Sequence, residues 1–359
     1  MIHLGAIGLG RAFSLMAPTF AADPRVKLLA GADPQAEARK NFSGRTYASA
    51  EELCADRELD VVYIATPHQL HAAHACLALA SGKHVLVEKP MALSMDECAR
   101  MIEAARKARR ALVVGHSHSF DAPIALARKI IREGRHGRLR MVTALNFTDY
   151  LYRPRRPEEL DTARVGGAVF NQAAHQVDIV RLFAGSPARW VRATTGAWDS
   201  ARPTEGAYSC IIGFDGLSAT LAYSGYAHFD SDEFTGWIGE MGGRKDPSQY
   251  WKRGERRPPP PGERLHQHFG LVIASCEKAD LRPTPEGVWI YADEAKHLEP
   301  LPAPKVPRAE VIDELHAAVV DRRAPLHDGA WGAATLEVCL AILRSAREGR
   351  EIALTSQTG

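Results

Sequence analysis

The first thirteen residues, MIHLGAIGLGRAF (residues 1–13), decide the fold class. An apolar run leads directly into the turn sequence Gly8-Leu9-Gly10-Arg11-Ala12-Phe13. A strand that turns sharply into a helix needs the first glycine, and the second lets the backbone approach a pyrophosphate at the helix N-terminus. Phe13 stands where a third glycine usually serves close helix packing. Taken alone, this stretch indicates either a dinucleotide-binding turn or an ordinary tight turn.

Asp33 favours the dinucleotide-binding turn. It follows a second apolar run, Val26–Ala32. Its distance from the glycines is close to the roughly 20 residues expected for the acid that binds the ribose hydroxyls of a dinucleotide. A carboxylate at that place would repel a 2′-phosphate. The sequence therefore predicts NAD rather than NADP as the cofactor.

The following residues alternate between short apolar runs and helical patterns. Further runs lie at 61–65, 85–87 and 112–114, and each is continuous enough for a strand that is buried on both faces. Between them, Ser94 and Glu97 have the spacing of a helix capping box. This order of strand and helix predicts an α/β domain with a doubly wound parallel sheet over residues 1–120.

The pattern changes after residue 120. Strand-like segments at 141–147, 190–196, 208–214, 217–223 and 288–291 are separated by turn residues, and Asp215-Gly216 is typical of a two-residue hairpin turn. Helical stripes return near the C-terminus. We therefore expect residues 121–359 to form an α+β domain with a mainly antiparallel, open-faced sheet.

The composition excludes several classes of protein. The 359 residues are 45% hydrophobic and 25% charged, which is ordinary for a globular chain. The net charge of +2 is spread evenly, so neither a nucleic-acid partner nor a polybasic membrane anchor is expected. No apolar run approaches the ~18 residues of a membrane span. The six cysteines contain no C-x-x-C pair, which argues against a zinc ribbon or a disulfide scaffold and favours a cytoplasmic protein.

Two motifs follow buried strands of the first domain. They are the segment Thr66-Pro67-His68-Gln69-Leu70-His71 and the tripeptide Glu88-Lys89-Pro90. A lysine just past the end of a buried strand lies where open α/β sheets bind their ligands. Partial desolvation there would lower the pKa of Lys89 toward the range of a proton-transfer group. The alternative interpretation is a solvated surface lysine.

A third motif lies in the second domain. If residues 166–178 are helical, the spacing puts Asn171, His175 and Asp178 on one face. A histidine flanked in this way can be held in one tautomer and can relay a proton. The alternative is a structural histidine. His116 and His118 lack a nearby carboxylate or cysteine at metal-ligand spacing, so no metal site is expected.

The three motifs together resemble the Gfo/Idh/MocA family of nicotinamide-dependent oxidoreductases. The family pattern combines a glycine-rich turn, T-P-N-x-x-H, E-K-P and G-G-x-x-x-D-x-x-x-H. The resemblance covers essentially the whole chain and implies a Rossmann domain, NAD, and Lys89 with His175 as the catalytic pair. It also implies that a set of residues lines the cofactor: Gly8, Leu9, Gly10, Arg11, Ala12, Phe13, Asp33, Thr66, Pro67, His68, His71, Glu88 and Lys89.

Three positions depart from the family pattern. His68 stands for the usual Asn, Phe13 for the third glycine, and Asn171 for the usual Asp. Asn171 can orient a substrate hydroxyl but cannot exchange a proton. The resemblance therefore assigns proton transfer to Lys89 and His175.

Stretches at 116–121, 146–157 and 239–247 look like those of the 4,5-dihydro-4,5-dihydroxyphthalate dehydrogenases within this family. This likeness implies NAD-dependent oxidation of the cis-dihydrodiol of phthalate to 4,5-dihydroxyphthalate. Two carboxylates on the substrate would need paired cations. The predicted substrate-binding residues are His118, Tyr150, Arg153, Arg155, Arg156, Asn171 and Lys245.

Other interpretations remain open at this point. An arginine-rich turn such as 153–156 is more often a solvated loop. The enzyme alternative is a sugar or inositol dehydrogenase of the same family, and a third possibility is a non-catalytic dinucleotide-binding sensor. A homodimer or homotetramer is expected, because an open antiparallel sheet usually needs its exposed face covered.

Overall fold

The computed structural model describes residues 1–162, 166–226, 228–249, 262–304 and 306–358. The chain divides into two compact units. The first unit comprises Met1–His116 and Lys305–Leu336, and the second comprises Ser117–Pro304 and Glu337–Gly359.

Six parallel strands form the sheet of the first unit. The strands are β1 (Ile2–Ile7), β2 (Val26–Ala32), β3 (Arg45–Tyr47), β4 (Val61–Ile64), β5 (His84–Val87) and β6 (Leu112–Val114). The helices between them are α1 (Arg11–Ala22), α2 (Ala36–Lys40), α3 (Ala50–Cys54), α4 (His71–Ala80) and α5 (Met95–Ala108). The strand order is β3-β2-β1-β4-β5-β6, and every pairing is parallel. The predicted doubly wound parallel sheet is confirmed.

Local sequence explains these elements. The strands β4 and β5 read as unbroken apolar runs because helices cover both faces of a parallel sheet. Ser94 caps α5, since its hydroxyl accepts a hydrogen bond from the Glu97 N–H at 3.2 Å. The helix then buries Cys98 and Met101.

The second unit contains a nine-stranded mixed sheet. Its strands are β7 (Leu139–Phe147), β8 (Trp190–Gly196), β9 (Ala207–Phe214), β10 (Leu217–Ser224), β11 (Leu271–Cys276), β12 (Ala279–Thr284), β13 (Gly287–Ala292), β14 (Lys296–Pro300) and β15 (Ile352–Ala353). Their order is β14-β13-β12-β11-β7-β10-β9-β8-β15. The β7–β10 pair is parallel, and the other pairings in the described residues are antiparallel. The predicted mainly antiparallel sheet is confirmed.

Two helices pack on one face of this sheet. Helix α6 (Ala122–Glu133) contacts β12 and β13, and α7 (Ala174–Ala184) contacts β7 and β10. Side chains along the strands accordingly alternate between the buried face and the other face, where Met141 and Ile211 are exposed. Asp215-Gly216 makes the predicted hairpin turn between β9 and β10, where Gly216 has a φ of +74°.

The first unit is completed by a later part of the chain, which contains α8 (Ala309–Val319) and the start of α9 (Gly329–Glu348). Val114 donates a backbone hydrogen bond to the His327 carbonyl at 2.8 Å. A Cβ at Gly332 would lie 2.9 Å from Val114 Cγ2, so only glycine allows this approach. The sequence patterns predict one boundary, at residue 120, whereas these later residues pack with the first unit. They do so because the apolar edge of the sheet at β6 needs a cover.

Within the described residues, no helix combines the length and the apolar character that a membrane span requires. The six cysteines are all free thiols. No cluster of three or more His, Cys, Asp or Glu side chains in the described residues is arranged to hold a metal ion.

Candidate active site

The glycine turn after β1 has the shape that a dinucleotide needs. Gly8 has a φ of +88°, and a Cβ there would lie 2.7 Å from the Ala65 carbonyl oxygen, so glycine is required. Gly10 precedes the first turn of α1, and a Cβ at Gly10 would meet nothing within 4 Å. The first glycine therefore allows the close approach of two strands, and the second leaves space at the helix N-terminus.

Asp33 is tied to this glycine turn. Its Oδ2 accepts a hydrogen bond from the Leu9 N–H at 3.0 Å, and its Oδ1 accepts one from the Gln35 N–H at 2.9 Å. Phe13, at the position of the third glycine, packs instead against Phe42, with ring centroids 5.9 Å apart. An acid beside the glycine turn fits the ribose of a dinucleotide whose pyrophosphate lies at α1.

His71 connects the two later motifs of the first unit. Its ring is fully buried, with Nδ1 at 2.9 Å from the Pro90 carbonyl oxygen and Nε2 at 3.0 Å from that of Thr66. Burial lowers the pKa of His71 to about 4, so the ring is neutral and its single N–H can donate to only one of these two carbonyl oxygens. The His68 ring packs edge-on against it at 5.4 Å. His71 therefore holds the Thr66 segment and the Lys89 segment together.

Glu88 anchors the strand end that carries Lys89. The Tyr63 hydroxyl donates a hydrogen bond to Glu88 Oε1 at 2.6 Å. Burial raises the pKa of the Glu88 carboxyl, and the positive charge of Arg308 works in the opposite direction. Lys89 itself is half-buried. The Glu88 side chain thus points into the first unit, and Lys89 follows it at a strand end that is held in place.

In the second unit, His118 is a buried cation. Its side chain is 1% exposed, its Nδ1 lies 2.6 Å from Asp121 Oδ2, and its Nε2 lies 3.5 Å from Glu240 Oε1. Burial alone would lower the pKa of His118, but Asp121 and Glu240 outweigh it and raise the pKa to about 9. His118 is therefore an imidazolium at neutral pH.

His175 lies beside His118. The two rings meet edge to face with centroids 4.8 Å apart. Phe269 packs against both rings, at 4.9 Å from His118 and 4.8 Å from His175. The Nδ1 of His175 lies 3.4 Å from the Ser117 hydroxyl. Two histidines from distant parts of the sequence thus form one aromatic cluster with Phe269.

The segment before His175 is not a regular α-helix. Residues Val169–Ala173 form a π-helical turn, and α7 begins at Ala174. Asn171 donates a hydrogen bond to the Gly167 carbonyl at 2.8 Å, and the Tyr150 hydroxyl donates to the same oxygen at 3.3 Å. Within α7, Asp178 lies 4.0 Å from the Arg181 guanidinium. The prediction that Asn171, His175 and Asp178 share one face requires an α-helix throughout, so it does not hold across the π-helical turn. Such turns are often found at functional sites.

The structure separates the three predicted arginines. Arg153 is nearly buried, with a side chain that is 11% exposed. Its Nε donates to Asp149, and its Nη1 lies 3.9 Å from Glu240 Oε2. Glu240 therefore lies between His118 and Arg153 and connects Arg153 to the aromatic cluster of His118, His175 and Phe269.

Arg155, Arg156 and Lys245 have other partners. The Arg155 guanidinium lies over the Tyr150 ring at 4.0 Å and donates to Glu159 at 3.3 Å. Arg156 is half-exposed, with its side chain 53% accessible, and pairs with Glu158 and Glu159. Lys245 contacts Asp230 at 2.6 Å and Asp232 at 2.5 Å.

Asp121, Glu240 and Phe269 are not among the site residues that the sequence predicts. Asp121 and Glu240 lie in stretches noted for their resemblance to other proteins, but no spacing rule indicated what they contact. Phe269 lies in no motif at all. Their contacts with His118 and His175 depend on tertiary packing, which periodicity does not reveal.

The raised pKa of His118 predicts how stability depends on pH. A group that gains protons more readily in the folded state stabilises the fold below its unfolded pKa, here 6.5, and the effect is lost as pH rises through about 9. At about 1.4 kcal/mol per unit of pKa difference, the loss is on the order of 3 kcal/mol. Urea unfolding at several pH values should show this decrease for the wild type and a smaller one for His118→Gln. Equal decreases in both proteins would contradict the assignment.

Two family models match the chain. Residues 2–116 match the model described as "Oxidoreductase family, NAD-binding Rossmann fold", and residues 124–243 match the "GFO/IDH/MocA C-terminal domain". The first unit therefore contains an NAD-binding Rossmann domain, as the glycine turn predicts.

Known proteins are similar over nearly the whole length. The 1-carboxy-3-chloro-3,4-dihydroxycyclohexa-1,5-diene dehydrogenase of Comamonas testosteroni is 44% identical, over 96% of this chain and 95% of that protein. A solved structure from Bordetella bronchiseptica RB50, described as a dehydrogenase, is 40% identical with a TM-score of 0.92, covering 98% of this chain and 100% of that one. The WlbA dehydrogenase of Bordetella pertussis, solved with NADH and UDP-GlcNAcA, has a TM-score of 0.73 at 24% identity over 99% of each chain, which shows a shared fold.

Proposed function

The chain belongs to the Gfo/Idh/MocA family of oxidoreductases, and we propose from this premise that it oxidises a carboxylated cyclic cis-diol with NAD as hydride acceptor. The specific substrate of the proposal is the cis-dihydrodiol of phthalate, and the product is 4,5-dihydroxyphthalate. The name of the Comamonas testosteroni relative describes a chlorinated ring with one carboxyl group and two adjacent hydroxyls. A carboxylated cyclic diol of this kind is the class of substrate that we propose.

One observation carries the proposal: two cations with little solvent exposure, His118 and Arg153, lie on either side of Glu240 in the second unit, and His118 lies beside His175. His118 and Arg153 are 1% and 11% exposed, and the His118 ring is 4.8 Å from that of His175. Because water screens buried charges less, a ligand carboxylate that replaces one of the acids around these cations would be held more strongly than at a solvated site. A neutral polyol would gain little from them, whereas a ring carboxylate would gain charge-assisted hydrogen bonds.

The proposal assigns proton transfer to Lys89 and His175. NAD, when bound, accepts the hydride that leaves the carbinol carbon. Lys89 takes the hydroxyl proton, and His175 assists through its Nε2, since its Nδ1 faces Ser117. The residues that would hold NAD are those of the glycine turn with Asp33, where an open space and a hydrogen-bonding acid fit the dinucleotide.

The chemistry of the substrate favours oxidation. Removal of a hydride and a proton from a cyclohexadiene diol gives a hydroxy-enone, which tautomerises to a catechol. The gain of aromaticity makes this direction favourable. A sugar alcohol offers no such gain.

A substrate panel tests the proposed function. The purified protein is given NAD with the phthalate cis-dihydrodiol, a monocarboxylated dihydrodiol, a neutral dihydrodiol, inositol and a simple sugar, and the absorbance of NADH is followed. We expect the carboxylated diols to give the highest kcat/KM. Faster turnover of inositol or sugar would reject the proposal. NAD binding without turnover of any member would favour a sensor protein.

Asp33 sets the choice of cofactor in this proposal. Its carboxylate would accept hydrogen bonds from the adenosine ribose and repel a 2′-phosphate, so kcat/KM with NAD should greatly exceed that with NADP. Asp33→Ala removes the charge and should narrow the preference. Steady-state kinetics with both cofactors measures this ratio, and an equal ratio in wild type and variant would show that another group makes the selection.

The proposal also includes a homodimer or homotetramer in the cytoplasm. The face of the second sheet opposite α6 and α7 carries exposed apolar side chains, among them Met141 and Ile211. Light scattering during gel filtration gives the molar mass in solution and tests this part separately.

A further inference from the structure

Glu240 occupies the space between the two buried cations. One carboxylate oxygen faces His118 Nε2 at 3.5 Å, and the other faces Arg153 Nη1 at 3.9 Å. A carboxylate that bridges an imidazolium and a guanidinium in this way has the shape and charge of the group expected on the substrate. Glu240 therefore lies where a ligand carboxylate would bind.

Each cation already has a closer acidic partner. Asp121 approaches His118 to 2.6 Å, and Asp149 accepts a hydrogen bond from Arg153. Both contacts with Glu240 are longer than an ordinary charge-assisted hydrogen bond of ~2.7 to 2.9 Å. Asp121, Asp149 and Glu240 together carry one negative charge more than His118 and Arg153. For each of the two cations, the contact with Glu240 is longer than the contact with the aspartate.

The Glu240 side chain can leave without moving its backbone. Its carbonyl accepts a hydrogen bond from the His268 N–H at 3.3 Å, and the flanking Gly239 N–H donates to the Gly243 carbonyl at 2.8 Å. The side chain is 33% exposed, in contrast to the two cations. Rotation of its χ angles would bring the carboxylate into water, where a charge is well solvated.

We infer that Glu240 is an internal competitor for the substrate carboxylate: its side chain occupies the His118–Arg153 anion position and is displaced when a carboxylated ring binds. The inference rests on the proposed function for the class of substrate but concerns a separate step, the binding of the anion. An incoming carboxylate restores the contacts that Glu240 gives up. A neutral ring cannot restore them, so it leaves Glu240 in place. Glu240 thus lowers the affinity of the site for anionic rings.

Binding of benzoate to the full-length protein with NAD present tests this inference without turnover. Titration calorimetry should show that benzoate binds about 3- to 10-fold more tightly to Glu240→Gln than to wild type, which is about 0.7 to 1.4 kcal/mol. Glu240→Ala should bind at least as tightly as Glu240→Gln. Unchanged or weaker binding in both variants would overturn the inference, because Glu240 would then support the site rather than compete for it.

Two controls make the result specific. Glu159→Gln removes the same charge from the acid that pairs with Arg155 and Arg156, and it should leave benzoate affinity at the wild-type value. Benzamide, the neutral analogue, should gain less than benzoate from Glu240→Gln. A similar gain for benzoate in Glu159→Gln would reject local competition in favour of a general charge effect.

A crystal structure with benzoate and NAD gives the direct view. The benzoate carboxylate should lie within hydrogen-bond distance of His118 Nε2, with the Glu240 side chain turned to solvent. Benzoate bound while Glu240 still lies between the cations would overturn the inference. Failure of the proposed function is separable, because diols would then not be oxidised even though benzoate affinity responds to Glu240. Oxidation of diols with no response of benzoate affinity would reject the competitor alone.

Discussion

Replacing Lys89 with alanine is expected to lower kcat for a carboxylated diol by ~10²- to 10⁴-fold, the usual contribution of a positioned proton-transfer group. The lysine extends from the end of β5, where His71 and Glu88 fix the neighbouring backbone. The fold should survive, since Lys89 is only half-buried. Steady-state turnover at saturating substrate measures the loss, and thermal unfolding with and without NAD checks that the variant still folds and binds the cofactor.

Lys107→Ala is the matched control. Lys107 is in the first unit as well, on α5, with a side chain that is 72% exposed and paired with Glu103. Its removal should leave kcat close to the wild-type value. His175→Ala should lose as much as Lys89→Ala or less. If Lys89→Ala retained more than about half of the wild-type turnover, the loss would be far below the range for proton transfer and the assigned role would be wrong.

Arg153→Ala is expected to raise the KM for a carboxylated diol by one to two decades. The lost contact is charge-assisted and nearly buried, and such contacts contribute ~1.5 to 3 kcal/mol, at about 1.4 kcal/mol per decade. A neutral diol should show a much smaller change. Because the substitution also leaves Asp149 without Arg153, Arg153→Lys is the second variant: it keeps the charge but loses the fork geometry, so its KM should be intermediate.

Arg156→Ala tests whether the effect on KM is specific to Arg153 or common to the arginines of the same stretch. Arg156 lies in the same short stretch, but its side chain is 53% exposed and pairs with Glu158 and Glu159. We expect no change in KM for the carboxylated diol. If Arg153→Ala affected carboxylated and neutral diols equally, the carboxylate-binding proposal would fail and the sugar dehydrogenase alternative would gain support.

Much of the first unit could be predicted from the sequence, because its strands are unbroken apolar runs and its turns contain glycine. The strands β3 and β15 were missed, since three and two residues are too few for any periodicity. The strands β12 and β14 contain charged residues at partly exposed positions, as in the Lys296–Pro300 segment, whereas β11 is an apolar run that was missed without such a reason. Their place in the sheet is decided by pairing with neighbouring strands, a long-range effect that local patterns do not contain.

The site was only partly predictable. Gly8 and Asp33 were found because a turn geometry and a spacing specify them. The separation of Arg153 from Arg155 and Arg156 was not predictable, since it depends on Asp149 and Glu159, which the sequence offers as ordinary surface acids. The role of Glu240 beside His118 follows only from three-dimensional distance.

The late segment that completes the first unit has a consequence for how the protein is made. On the ribosome, β6 emerges about 190 residues before the residues that cover it. At ~5 to 20 residues per second, that interval lasts on the order of 10 to 40 s. During this time the apolar surface around Leu112 and Val114, which Gly329 and Gly332 later approach closely, has no native cover. The nucleotide-binding unit therefore reaches its native state only after nearly the entire chain has been synthesised, which exposes the nascent chain to premature association and makes a fragment ending at residue 116 a poor candidate for independent expression.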